Sequence, residues 1–170
     1  MSSAPKPYFR KSPRAKFHDY SGGVYFVTIC TDSMKYDFGR IENATMHFTD
    51  LGKQCFSSLS DLERHYSYIE VPVFTVMPNH IHAIICINNN TPLTINPEEQ
   101  KLMPAKRSAL SVIVGVFKSG ITTYARRNNI DFDWQTRYHD RIIRSQFEAN
   151  RIAEYIENNV ARWDKDCFNV

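Results

Sequence analysis

Ile69-Glu70-Val71-Pro72-Val73-Phe74-Thr75-Val76-Met77-Pro78-Asn79-His80-Ile81-His82-Ala83-Ile84-Ile85-Cys86-Ile87 is the stretch that decides the fold. Both halves are rich in β-branched and aromatic residues, and Pro78-Asn79 between them is a turn signal. Residues 69–77 and 80–87 therefore read as the two strands of a hairpin. Upstream, Gly22-Gly23 opens Val24-Tyr25-Phe26-Val27-Thr28-Ile29-Cys30-Thr31, which is apolar on both faces and so a central strand.

Helices flank these strands. Thr49-Asp50 caps a helix in which Leu51, Cys55, Leu59 and Leu62 recur at helical spacing up to about Tyr66. Ser108 can cap a second, running to about Arg127, with Leu110, Ile113, Val114, Phe117, Ile121 and Tyr124 on one face. Residues 38–48 suit a short hairpin, and Tyr138 to Ser145, with Ile142-Ile143, suits a last strand. Helical periodicity returns from Gln146 to Trp163. The order β-α-β-β-α-β-α predicts an α+β ferredoxin-like sandwich: a four-stranded antiparallel sheet with helices packed on one face. Residues 1–22 read as a basic N-terminal arm, 23–165 as a single domain with an irregular loop at 88–107, and 166–170 as a tail. Loops of that length are often functional.

An apolar fraction of 42% in 170 residues suffices for one real core. Eleven Phe, nine Tyr and two Trp disfavour disorder. No stretch approaches a membrane span, and residues 1–16 lack the apolar run of a signal peptide, so a cytoplasmic protein without a membrane partner is expected. Cys30, Cys55, Cys86 and Cys167 form no CxxC pair, which favours reduced thiols. The net charge is only +3, but it is clustered: five basic residues and no acid from Lys6 to Lys16, and ten against four from Lys101 to Arg151. Two basic zones suit a polyanionic partner, and ordinary solvated surface charge explains them equally well.

In His80-Ile81-His82, strand alternation puts both imidazoles on one face, with Cα atoms about 6–7 Å apart, close enough to share a divalent ion. Two packed or exposed strand histidines are the plainer alternative. In the last helix, Phe147, Ile152, Tyr155, Ile156, Asn159, Val160 and Trp163 form the sheet-packing stripe, which brings Tyr155 and Asn159, four apart, onto its driest face. A buried hydroxyl or amide without a partner costs about 1–3 kcal/mol, so each needs one. A core tyrosine and a helix-end asparagine would meet that need in the ordinary way. Alternatively, if this helix crosses the sheet face carrying His80 and His82, the Asn159 carbonyl oxygen completes a His-His-Asn site. Tyr155 then points at whatever the metal polarises. Two imidazoles and one amide oxygen leave positions open, as suits Mg²⁺ or Mn²⁺.

These residues resemble a known family. Met77-Pro78-Asn79-His80-Ile81-His82-Ala83-Ile84-Ile85 is similar to the histidine-hydrophobe-histidine (HUH) block of single-tyrosine transposases, and Tyr155-Ile156-Glu157-Asn158-Asn159 resembles their tyrosine helix. Tyr25 to Thr31, Gly115-Val116-Phe117-Lys118-Ser119, Trp134-Gln135 and Tyr138 to Arg144 resemble the REP-associated tyrosine transposase branch, within the IS200-like transposases. The similarity covers roughly residues 8–165. It implies a ferredoxin-like fold and cleavage of single-stranded or hairpin DNA. It also implies a Tyr155 nucleophile, a metal held by His80, His82 and Asn159, a 5′-phosphotyrosine intermediate, a free 3′-OH, and no ATP. Val160 departs from the proline many relatives carry, which should affect only the helix end, and the 88–107 loop matches no family block.

On this reading Arg10, Lys11 and Arg14 of the arm, with Lys118, Arg126 and Arg127 of the second helix, would contact DNA phosphates, which give affinity and register rather than base reading. Whether Tyr155 serves its own metal site or that of a second copy stays open, and with it a homodimer. Two rivals stand beside it. One is a non-catalytic nucleic-acid binder on the same fold, stacking bases on sheet aromatics such as Tyr25 or Phe74. The other is an HUH nuclease of replication or plasmid mobilisation.

Overall fold

The computed structural model describes residues 23–88 and 109–169. The arm with Arg10, Lys11 and Arg14, nearly all of the 88–107 loop, and the Ser108 cap lie outside the described residues. The main sheet is built from β1 (Gly23–Cys30), β4 (Ile69–Val76), β5 (His80–Ile87) and β6 (His139–Ile142) in the order β4-β5-β1-β6, all antiparallel. β2 (Gly39–Glu42) and β3 (Thr45–Phe48) form the separate hairpin expected within residues 38–48. Among the described residues three helices of two turns or more accompany them: α1 (Asp50–Ser60), α3 (Ala109–Arg127) and α4 (Gln146–Asn158), while α2 (Leu62–His65) is a single turn. This is the ferredoxin-like α+β class that the element order predicts.

β5 and β1 occupy the centre, as their two-sided apolar sequences require. β4 is an edge strand, and its pairing slips between Glu70 and Val73, around Pro72. A proline, having no N–H, is tolerated at such a bulge. The Val71 N–H freed there donates to the Glu63 carboxylate of α2 at 2.6 Å. α1 starts on Thr49, whose hydroxyl accepts from Gly52 N at 3.1 Å. Gly52 is a close-approach glycine: a Cβ there would lie 2.0 Å from the Phe38 carbonyl oxygen.

The layering differs from the one-faced arrangement expected. Val27, Ile29, Ile81, Ala83 and Ile85 pack with Leu51, Cys55, Ile113 and Phe117 of α1 and α3. Their alternate neighbours, Ile84 with the half-buried Phe26 and Cys86, pack with Ala149, Ala153 and Ile156 of α4. Helices therefore cover both faces, α4 lying on the second, over β4 and β5. The buried line of α4 is also rotated from the expected stripe. Phe147 is 72% exposed and Tyr155 41%, because Ala149 and Ala153 carry the close contact with the sheet. Tyr155, about 100° round the helix from Ile156, is left at the margin of the packed face. Helical turns continue beyond α4 as a 3₁₀ segment, Val160–Lys165, so Val160 marks the tightening of the helix end.

Asp37 introduces Phe38, a fully buried ring that packs on Phe132 and Trp134 at centroid distances of 5.8 and 5.5 Å. The Asp37 Oδ2 is buried without a hydrogen-bond partner among the described residues, and burial, partly offset by Lys35, pushes the carboxyl up to about 6. A carboxyl whose pKa rises on folding favours the folded state most below its unfolded pKa, near 3.9, and loses that contribution as pH rises through the folded value. Asp37→Asn should therefore raise the melting temperature at pH 7, with the gain shrinking as pH falls through 6 and gone below about 4. Parallel thermal melts of both proteins from pH 4 to 8 check this, and a constant difference across that range would contradict it.

Candidate active site

The turn between β4 and β5 is held in place before any site residue is considered. Met77 N donates to His80 O at 2.8 Å, closing the hairpin, while Thr31 N and Phe38 N donate to the carbonyls of Asn79 and Pro78 at 2.9 and 3.0 Å. β5 then leaves the turn with His80 opposite Cys30, and His82 between Thr28 of β1 and Thr75 of β4. Alternation puts both histidines on the α4 face, their ring centroids 4.5 Å apart. Both are buried.

Each ring is gripped through Nδ1. His80 Nδ1 lies 2.9 Å from Asn79 Oδ1, and His82 Nδ1 lies 2.9 Å from the Thr28 hydroxyl. On the far side of His82, Nε2 is 3.3 Å from the Tyr155 hydroxyl. Aromatic rings close the surroundings: Phe26 lies 5.2 Å from His82 and meets Tyr155 edge-on at 6.3 Å, while Phe168 and Trp163 lie 4.4 and 6.1 Å from His80. Burial in this dry box, with His82 as neighbour, depresses the His80 pKa to about 2, and burial depresses that of His82 to about 4. Both imidazoles are neutral at neutral pH and keep a lone pair to offer. The Tyr155 phenol shifts upward, mainly through burial and then through the Asp166 carboxylate, with the nearby Asn159 amide acting the other way. Left alone it is an even poorer nucleophile than a free tyrosine.

Asn159 sits one turn beyond Tyr155 and is buried. Neither its Oδ1 nor its Nδ2 makes a well-formed hydrogen bond among the described residues, its approach to the Tyr155 hydroxyl being a loose one, and His80 Nε2 has no partner among them either. Buried polar atoms left without partners are rare enough that each calls for an explanation. Three in one pair of side chains describe a site with ligand capacity in reserve. No cluster of three or more His, Cys, Asp or Glu suited to a metal occurs among the described residues, so a metal here would take an amide oxygen with its two imidazoles.

Of the residues singled out in the sequence, the structure brings together His80, His82, Tyr155 and Asn159. It does not bring the basic helix residues to them. α3 packs on the opposite sheet face, where Arg126 and Arg127 are exposed in its last turn. The Lys118 ammonium is engaged with the Gln135 carbonyl at 2.8 Å and lies over the Trp134 ring. Thr28, Asn79, Phe26, Trp163 and Phe168 were missed. Thr28 could have been found by laying the two central strands antiparallel, and Asn79 from its place in the turn. Nothing in the sequence brings Phe168 back onto His80.

No family model matches the chain. An uncharacterized protein of Haemophilus influenzae is 36% identical over 176 residues, an alignment spanning 96% of this chain and 94% of that protein, and the two belong to one family. Among solved structures, a REP-associated tyrosine transposase bound to a REP hairpin matches with a TM-score of 0.56 at 16% identity, over 96% of this chain and 74% of the other. At that identity the likeness is one of fold.

If the Asn159 amide is unpartnered in the metal-free protein, exchanging it for an apolar side chain of the same branched shape removes a cost. Asn159→Leu should stabilise the metal-free protein by about 1 kcal/mol, or about 2–4 °C in melting temperature for a domain of this size. Calorimetry in chelator checks this, and a fall of similar size would show that the amide has a partner after all.

Proposed function

We propose that this protein is a transposase-type enzyme that cuts and rejoins single-stranded or hairpin DNA, with Tyr155 as nucleophile and a divalent cation as cofactor. One observation carries the reading: the Tyr155 hydroxyl sits 3.3 Å from a neutral buried histidine, in a site where, among the described residues, a second histidine nitrogen has no partner and a buried amide makes no well-formed hydrogen bond. A core packed only for stability would not leave such groups unmatched. The fold supports the reading, since it is also that of a tyrosine transposase bound to a DNA hairpin.

The donor set fits a hard or borderline divalent ion. His80 Nε2, His82 Nε2 and Asn159 Oδ1 would hold it, and nitrogen with neutral oxygen donors suits Mg²⁺ or Mn²⁺ better than a soft thiolate site would. The chemistry such an ion would supply is withdrawal of charge from a phosphodiester and stabilisation of the phenolate. The chain's own part is positional. α4 fixes Tyr155 beside the histidines, while Phe26, Trp163 and Phe168 keep the imidazoles dry and neutral.

In the reaction, the Tyr155 oxygen bonds to phosphorus as the bond to the 3′ oxygen breaks, and the phenolic proton is passed on to that leaving oxygen. The products are a 5′-phosphotyrosine and a free 3′-OH. Attack by another 3′-OH reverses the step and rejoins DNA, so the ester's energy is conserved and no nucleotide triphosphate is needed. Tyr155 stands at the margin of the helix-packed face, 41% exposed, where a strand can reach it.

Tyr155→Phe should abolish covalent protein–DNA adducts while costing about 1 kcal/mol of stability, the worth of one hydrogen bond. Native protein should form adducts with Mg²⁺ or Mn²⁺ and none in chelator. Asn159→Leu, folded but short of a ligand, should behave like the chelated enzyme. Denaturing gels with a labelled single-stranded oligonucleotide read all three, and adducts at native yield from Tyr155→Phe would exclude this nucleophile.

A further inference from the structure

Asn79, the last residue of the β4–β5 turn, is fully buried and bonded on both sides. Its Nδ2 donates to two main-chain carbonyls, Met34 O at 3.3 Å and Phe168 O at 2.7 Å. A carbonyl oxygen can only accept, so the amide can be oriented one way only. Turned over, its oxygen would face two other oxygens at those distances. Oδ1 must therefore be the atom 2.9 Å from His80 Nδ1. An amide oxygen also only accepts, so His80 Nδ1 must carry the hydrogen. A neutral imidazole has one N–H, which leaves the lone pair on Nε2, the atom that is buried without a partner among the described residues.

We propose that Asn79 is a positioning residue that locks His80 into the Nδ1–H tautomer, keeping Nε2 permanently available as an electron-pair donor. Its use in binding Mg²⁺ or Mn²⁺ rests on the metal reading above, whereas the lock itself follows from hydrogen-bond geometry. Two segments remote from the turn in sequence, around Met34 and Phe168, hold the lock from behind.

His82 is not held in this way. Its Nδ1 partner is the Thr28 hydroxyl, which can donate or accept, and its Nε2 partner is the Tyr155 hydroxyl, which can do the same. Either tautomer satisfies both contacts. The pair therefore comprises one histidine fixed in its donor state and one whose two hydroxyl partners accommodate either tautomer. A fixed ligand meets an incoming ion with no reorientation to undergo. Outer partners that set ligand tautomers typically change metal affinity by about 10–100-fold when removed.

The direct test needs neither DNA nor catalysis. Long-range proton–nitrogen NMR on the ¹⁵N-labelled, metal-free full chain at neutral pH reports which ring nitrogen is protonated. His80 is identified by its proximity to the Phe168 and Trp163 rings. His80 should appear as a pure Nδ1–H tautomer, and an Nε2–H form or a mixture in the native protein would overturn the proposal. In Asn79→Ala the His80 signals should move to averaged values, and Mn²⁺ affinity, read from the electron paramagnetic resonance of free Mn²⁺, should fall by about 10–100-fold. A folded Asn79→Ala protein with native tautomer and native affinity would also overturn it. If that variant does not fold, the native spectrum decides alone. A pure Nδ1–H tautomer in a protein that binds no Mn²⁺ would uphold the lock and remove the metal reading instead.

Discussion

Everything at the candidate site depends on the two-residue period of β5. One strand, flanked by β4 and β1, sends Ile81, Ala83, Ile85 and Ile87 into the core beneath α1 and α3, and His80 and His82 to the other face. A shift of one residue in its pairing would exchange the two sets, setting the imidazoles beneath α1 and α3 and moving the isoleucines of that core to the α4 face. The register is therefore fixed by core burial, and the histidines inherit their positions from it. Pairing of Thr28 with His82 and Cys30 with His80 along β1 extends the same constraint to the hydroxyl that grips His82.

On that face the fold carries buried polar groups at a cost in stability. The unpartnered atoms of His80 and Asn159 each cost about 1–3 kcal/mol, against a net stability of about 5–15 kcal/mol for a typical domain. Keeping two histidines neutral adds a penalty that grows in acid. A base whose pKa is depressed on folding stabilises the native state above its unfolded value, near 6.5. It loses that contribution as pH falls through the folded values of about 4 and about 2. The aromatic box that keeps the rings dry is itself apolar burial and offsets part of the cost.

Much of this was legible in the sequence, for identifiable reasons. The strands announced themselves by β-branched runs bounded by turn residues, and α1 by its Thr49 cap. His80 and His82 share a face by arithmetic, as Tyr155 and Asn159 do at four residues' spacing. Periodicity shows which side of a helix is apolar but not which face of a sheet it will cover, so the two-sided layering was out of reach. Phe147 misled because its hydrophobicity outweighs that of Ala149 and Ala153, whereas close packing of a helix on a sheet favours the small side chain. The engagement of Lys118 with Gln135 depends on a tertiary contact that no charge count reveals.

The C-terminal residues illustrate most clearly what sequence reading leaves out. Residues 166–169 look like a tail, yet the Phe168 ring packs at a tilt on His80, its carbonyl anchors Asn79, and Asn169 accepts from the Tyr36 hydroxyl at 2.9 Å. None of these contacts has a local signature, because each joins residues far apart in the chain. A hydrogen bond from Asn79 to a backbone carbonyl also asks nothing of the side chain at position 168, so that residue's identity could not have revealed it. The ring is a separate contribution, since it shields His80 from water and so helps keep its pKa low. The site is thus completed from parts of the chain far apart in sequence. The start of β5 supplies the two histidines, and the last few described residues supply both the cover and one of the two carbonyls that hold the Asn79 amide in the orientation His80 requires.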